Sequence, residues 1–220
     1  MEPSDWTQYW SGRWDEGRIG FHEGAANRWL AEHIGVLGYG VGRRVLMPLC
    51  GKSVDLAFLA AHGFDVVGVE VALSAAEAFY AEAGLTPARA DEGGFVRLSS
   101  SSIEIVVGDF FAVTPAIVGL FDVFYDRAAI VALPPEMRAR YATTLRSLMK
   151  PDARGLLVTF EHDAKGHEPP FSVREEEIAE RFADYERITL GSVDTLGDRS
   201  ALRDRGATFA LDRAYAMRAP

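Results

Sequence analysis

Apolar residues fall into short runs separated by amphipathic stretches. Val45-Leu46-Met47, Val66-Val67-Gly68-Val69, Phe121 to Tyr125 and Gly155 to Phe160 read as buried strands, while Phe95 to Leu98 and Ile103 to Val107 read as a hairpin feeding a further strand. Helical patterns lie between them. One is capped by Ser53, buries Leu56, Leu59 and Ala60, and ends at Gly63; an alanine-rich one runs from Ser74 to Ala83 and stops at Gly84 and Pro87. A third opens on Pro134-Pro135 and turns Met137, Tyr141, Leu145 and Leu148 inward. The last third predicts a rigid loop, Glu168-Pro169-Pro170-Phe171-Ser172, a short charged helix from Arg174 to Phe182, and two late strands, Tyr185 to Leu190 and Phe209 to Met217. Asp198 to Gly206, with three arginines, is expected to be mostly solvated. Strand–helix alternation followed by a late strand pair predicts an α/β, doubly wound sheet, mostly parallel with an antiparallel edge and helices on both faces.

Ahead of this alternation lies a strongly aromatic segment. Trp6, Trp10 and Trp14 recur every four residues and share one face if the segment is helical. Two readings stand: a helix fixed to the body by its tryptophans, or a lid whose rings cover a flat or cationic ligand. Gly17, Gly20 and Gly24 bracket Phe21-His22, as suits a closing loop. A second helix is expected around Trp29, Leu30, His33 and Ile34, followed by a glycine-rich linker to residue 42.

Composition narrows the function classes. At 220 residues and 48% hydrophobic content, a single domain accommodates the whole chain, residues 1–220, with residues 1–35 as the aromatic helical lid. A net charge of -9 disfavours a nucleic-acid partner, which needs a basic surface to release counterions, and favours a small-molecule ligand. Cys50 is the one cysteine, and five scattered histidines show no metal-binding spacing, so no metal is expected. The N-terminus carries acids and tryptophans rather than a basic and then an apolar segment, and no apolar run reaches membrane-spanning length. The expectation is a cytoplasmic protein without a membrane partner, and a monomer, since no spare apolar helix face stands out.

The candidate chemistry sits at the strand ends. Residues 44–70 read as strand, glycine turn (Pro48-Leu49-Cys50-Gly51), helix, strand and carboxylate (Glu70). In such units the glycine admits close approach of a ligand, and an acid about 20 residues later accepts hydrogen bonds from ribose hydroxyls. Gly108-Asp109-Phe110-Phe111 can hydrogen-bond and sandwich a purine, although both phenylalanines are equally suited to the core. Asp126-Arg127 follows a buried strand where open α/β sheets place ligand contacts; pairing of the two with each other is the alternative.

Five segments resemble the thiopurine S-methyltransferase family: WSGRWDEGRIGFHE, VLMPLCGKSVDLAFLAAHGFDVVGVE, GDFF, FDVFYDRAAIVALPPEMRARYA and PPFSV, in the family's order from Trp10 to about Val173. The resemblance implies a Rossmann-like class I methyltransferase sheet, S-adenosyl-L-methionine as methyl donor, and a small thiol as acceptor. It also implies site residues. Trp10, Trp14 and Phe21 would close over the donor, Leu49 and Gly51 would line its methionine end, Glu70 would bind its ribose, and Asp109 and Phe110 its adenine. Arg127 would lie near donor and acceptor, while Phe21, Pro170, Phe171 and Arg199 would border the acceptor; apart from the resemblance, Asp126 is read as orienting Arg127, with accepting a proton through water as the alternative. Cys50 would be a packed turn residue. Two departures, Glu161-His162-Asp163 and Glu168-Pro169-Pro170-Phe171, fall on the acceptor side, and Arg203 and Arg205 compete with Arg199 for its place. The leading reading is a methyltransferase for thiopurines or similar heterocyclic thiols. The same fold acting on selenium or tellurium anions, thiocyanate or halide is the alternative, and a non-catalytic donor-binding module a more distant one.

Overall fold

Successive residues of a buried strand point to opposite faces, and 44–48 obey this: Val45 and Met47 join one apolar cluster, Leu46 the other. The computed structural model describes residues 3–19 and 22–220. In chain order its elements are α1 (Pro3–Asp15), α2 (Arg28–His33), β1 (Arg44–Pro48), α3 (Asp55–Ala61), β2 (Asp65–Glu70), α4 (Leu73–Glu82), β3 (Ala88–Glu92), β4 (Phe95–Ser100) and β5 (Ile103–Val107). There follow α5 (Pro115–Val118), β6 (Phe121–Arg127), α6 (Pro135–Ser147), β7 (Met149–His162), α7 (Glu175–Arg181), β8 (Glu186–Asp194), α8 (Ser200–Asp204) and β9 (Ala210–Arg218).

The nine strands form one sheet in the order β3-β4-β5-β2-β1-β6-β7-β9-β8. Its centre, β5-β2-β1-β6-β7, is parallel. One apolar cluster takes Trp6 of α1, the inner face of α6, Ile178 of α7 and Leu202 of α8; the other takes Trp29 and Leu30 of α2, Leu56 and Leu59 of α3, and Phe79 and Tyr80 of α4. Both faces of the parallel centre are therefore covered, as its continuous apolar strands require. Chain order reverses between β1 and β6, which opens a crevice at their carboxyl ends. No helix among the described residues is long and apolar enough to cross a membrane.

Two features differ from the expected layout. Antiparallel strands flank both edges, since β3 and β4 run antiparallel beside β5 just as β9 and β8 do beside β7. β3 escaped the apolar pattern because all five of its residues are exposed: backbone pairing with β4 forms it, not burial. Residues 196–204 are the second feature. A short 3-10 turn and α8 stand there; residues 198–206 are mostly exposed, as expected, but Leu202 is buried at 3% exposure and the segment also walls a cavity.

Gly155 lies beside Phe124 in the β6–β7 register, and a Cβ there would approach the ring's Cε1 to 2.1 Å in a fully buried setting. Gly155→Ala is expected to destabilise the fold by roughly 1–3 kcal/mol through overpacking. Urea unfolding checks this, and an unchanged midpoint would contradict the packing described.

Candidate active site

The turn after β1 is held in an uncommon backbone shape. Leu49 has φ +48° and Gly51 φ +54°, and Ala128, just past β6, has φ +66°. A left-handed non-glycine residue costs on the order of 1–3 kcal/mol, and such residues cluster at functional sites. Leu49 and Ala128 both line one cavity of about 550 Å³ at the crevice, a size that suits a small-molecule site.

Glu70 fixes this turn. Its carboxylate is 4% exposed; Oε2 accepts from Gly51 N at 2.9 Å, and Oε1 accepts from Val71 N and Ala72 N at 2.8 Å each. Burial pushes its pKa up, opposed by these three N–H groups. A carboxylate has about four acceptor positions, so one remains for a ligand hydroxyl at the cavity wall. At Gly51 the Trp14 ring takes the space a side chain would fill: a Cβ would lie 2.7 Å from Trp14 Cζ2. Trp10 and Trp14 line the same cavity. The glycine turn, the spare carboxylate position and the aromatic wall suit an adenosine-bearing donor with a cationic sulfur. Phe21 lies outside the described residues. Cys50 is a buried turn residue, its thiol pKa pushed well up by burial, and its N–H donates to Val69 O.

At the end of β6 the alternation decides which side chain reaches the cavity. Tyr125 and Arg127 line it; Asp126, between them, points to the other face. There the fully buried Asp126 accepts from Tyr141 O–H at 2.7 Å and from Ala129 N and Ile130 N at 3.2 and 3.3 Å. The expectation that Asp126 orients Arg127 is therefore corrected, and so is the alternative that the two pair. Asp126 anchors α6 and the turn after β6, while Arg127 Nη2 donates to Glu23 Oε1.

Three other expected residues also lie away from this cavity. Asp109 caps the 3-10 turn that follows it, accepting from Phe111 N at 2.9 Å, and the 1%-exposed Phe110 packs against Tyr141 with ring centroids 5.3 Å apart. Core packing is thus the outcome for Phe110. Phe171 turns its ring to Trp6, at 6.0 Å, and lines a second cavity instead. Pro170 does line the first, its carbonyl held by His162 Nε2 at 3.0 Å. Among the late arginines, Arg199 lines the cavity, stacked over Phe160 at 4.9 Å and 3.7 Å from Asp212 Oδ1. Arg205 also lines it while donating to Lys165 O, whereas Arg203 donates to Leu196 O and Gly197 O.

The sequence reading missed an acidic group at this end. Asp55, 2% exposed, accepts from Tyr125 O–H at 2.9 Å and from Asn27 N at 2.8 Å, and burial raises its pKa. Asn27 in turn caps α2 through its Oδ1 and donates Nδ2 to Glu23 Oε2 at 3.2 Å. Glu23, Asn27, Asp55, Tyr125 and Asp212 all line the cavity. An acid in the first turn of a helix that follows a glycine turn was the available signal for Asp55; Glu23 had only its place beside Phe21-His22.

The family model for thiopurine S-methyltransferase (TPMT) matches residues 6–219. The chain belongs to the thiopurine S-methyltransferase family. The thiopurine S-methyltransferase of Pseudomonas putida strain KT2440 is 42% identical over 218 residues, covering 98% of each chain. That of Pseudomonas paraeruginosa strain PA7 is 40% identical over 213 residues, covering 96% of this chain and 98% of the relative. At the level of fold, the chain is similar to the 1,6-didemethyltoxoflavin-N1-methyltransferase of Burkholderia thailandensis, crystallised with 1,6-didemethyltoxoflavin and S-adenosylhomocysteine: TM-score 0.63, 18% identity, coverage 100% and 92%. An S-adenosylmethionine-dependent methyltransferase of Anabaena variabilis gives TM-score 0.65 at 15% identity, coverage 97% and 95%. The Rossmann-like methyltransferase sheet expected from the family's motifs is the fold observed.

Burial raises the Asp126 pKa from 3.8 to about 6. Between these values the native state holds more protons than the unfolded chain, so the favourable contribution present at low pH is lost as pH rises through the window, by roughly 3 kcal/mol. Relative to wild type, Asp126→Asn should gain stability as pH goes from 4 to 7. Unfolding free energies of the two proteins across that range test this, and parallel pH dependences would contradict it.

Proposed function

We propose that this chain transfers a methyl group from S-adenosyl-L-methionine to the sulfur of a thiopurine or a similar heterocyclic thiol. Family membership supports the activity. The observation that carries the site is the convergence of the glycine turn, Glu70 and Arg127 on one cavity walled by Trp10 and Trp14. Glu70 and the Leu49-Cys50-Gly51 turn hold the donor, with the two tryptophans covering it as part of a lid built from residues 1–35. Arg127, Pro170 and Arg199 border the acceptor.

When bound, the donor supplies an electrophilic methyl on a sulfonium. The acceptor sulfur would bond that carbon as the carbon–sulfur bond breaks, the electron pair staying on the departing sulfur and the thiol proton passing to water. Collinear positioning supplies roughly 7–11 kcal/mol of the barrier, more than the 10²- to 10⁴-fold of an acid–base group, so the protein's main task is orientation. Arg127, with five N–H donors and a permanent charge, stabilises the acceptor thiolate. Water is kept out by the aromatic wall. A monomer in the cytoplasm remains the setting of the proposal.

Labelled donor with a thiopurine and, in parallel, selenite tests the reading: transfer to the thiopurine is expected, and transfer to selenite alone would replace it with the chalcogen-anion alternative. Arg127→Ala should lose turnover on the order of 100-fold while retaining most donor affinity, the scale of removing one charge-stabilising donor. An undiminished rate would overturn the role of Arg127.

A further inference from the structure

The Glu23 carboxylate lines the cavity and meets Arg127. One oxygen accepts from Arg127 Nη2 and the other from Asn27 Nδ2 at 3.2 Å. Asn27 is 6% exposed and has no freedom to wander: its N–H donates to the buried Asp55, and its Oδ1 accepts from Trp29 N at 3.1 Å. Glu23 is thereby pinned by a residue that is itself pinned to α2 and α3. It is half-exposed toward the cavity, with a side-chain exposure of 42% against 15% for Arg127.

The cavity wall carries Arg127, Arg199 and Arg205 among its cations and Glu23, Asp55 and Asp212 among its carboxylates; Glu23 meets Arg127 and Asp212 meets Arg199. A carboxylate in contact with Arg127 offsets the guanidinium charge toward the cavity. The pair therefore attracts a distant anion less than an arginine without a carboxylate partner would. Glu23 would also repel any further fixed negative charge on the acceptor.

Resting on the functional reading above, we propose that Glu23 is a positioning and specificity-determining residue. It aims the Arg127 guanidinium and makes the acceptor end favour thiols without a fixed negative charge over acceptors that carry one.

The test compares 4-mercaptobenzoate with its methyl ester, two aryl thiols that differ by one fixed charge, in the wild type, Glu23→Gln and Glu23→Asp. Wild type should favour the ester. Glu23→Gln should move the ratio of kcat/KM toward the carboxylate by about tenfold, mainly through a lower KM for 4-mercaptobenzoate, the factor that 1.36 kcal/mol represents. Glu23→Asp, which keeps the charge, should hold the wild-type preference, and donor affinity should be the same in all three. A Glu23→Gln ratio within twofold of wild type, or a Glu23→Asp ratio that moves with it, would overturn the proposal while leaving the activity intact. Wild type that methylates neither thiol nor a thiopurine would overturn the functional reading and this inference together.

Discussion

A buried carboxylate holding three backbone N–H groups is the constraint on which the site depends. Glu70 ends β2, yet it bonds to the turn that follows β1 and to the first residues after itself. Burying an ionised carboxylate is costly unless its acceptor positions are filled, so the chain cannot relax the turn without stranding the charge. That bond holds Gly51 beneath the Trp14 ring and leaves one of about four acceptor positions of a cavity-lining carboxylate unfilled. A helix or loop that moved would lose contacts; a Glu70 that moved would lose the turn itself.

The second constraint is the two-residue period of β6. It sends Tyr125 and Arg127 to the cavity and Asp126 to α6, so neighbouring residues serve different parts of the molecule. On the cavity side a continuous set of bonds, Tyr125 to Asp55, Asp55 to Asn27, Asn27 to Glu23 and Glu23 to Arg127, joins residues 23–27 to the sheet. The N-terminal region is anchored a second time by Trp6, which is 5% exposed, joins the apolar core and meets the Phe171 ring at 6.0 Å. The two readings of the aromatic segment are thus compatible: Trp6 fixes α1 to the body, and Trp10 and Trp14, one and two turns on, face the cavity.

Most of the architecture was legible because apolar runs and glycine or proline stops mark the central strands and helices. β3 was not, because an exposed edge strand carries no burial pattern. At the cavity wall, the positions of Leu49, Gly51, Glu70 and Arg127 were legible from a motif at strand ends. Asp126 was misread because adjacency in sequence is opposition in a strand. Asp109, Phe110 and Phe171 were placed at the ligand by motif alone, whereas capping and ring packing claim them in the fold. The charge-rich 198–206 segment is mostly exposed, as its composition predicted, but its arginines mask the one buried residue, Leu202, that docks it. Glu23 gave almost no signal, since its partners lie 4 and 104 residues away.

The central claim is that the N-terminal segment and the strand ends form one donor site. Amide hydrogen exchange over residues 10–19 and 22–27, with and without S-adenosyl-L-methionine, tests it most directly, because local opening of exactly these segments sets their exchange. Binding of the donor should slow exchange in both segments together. Donor binding that leaves both at their unliganded rates would contradict the account.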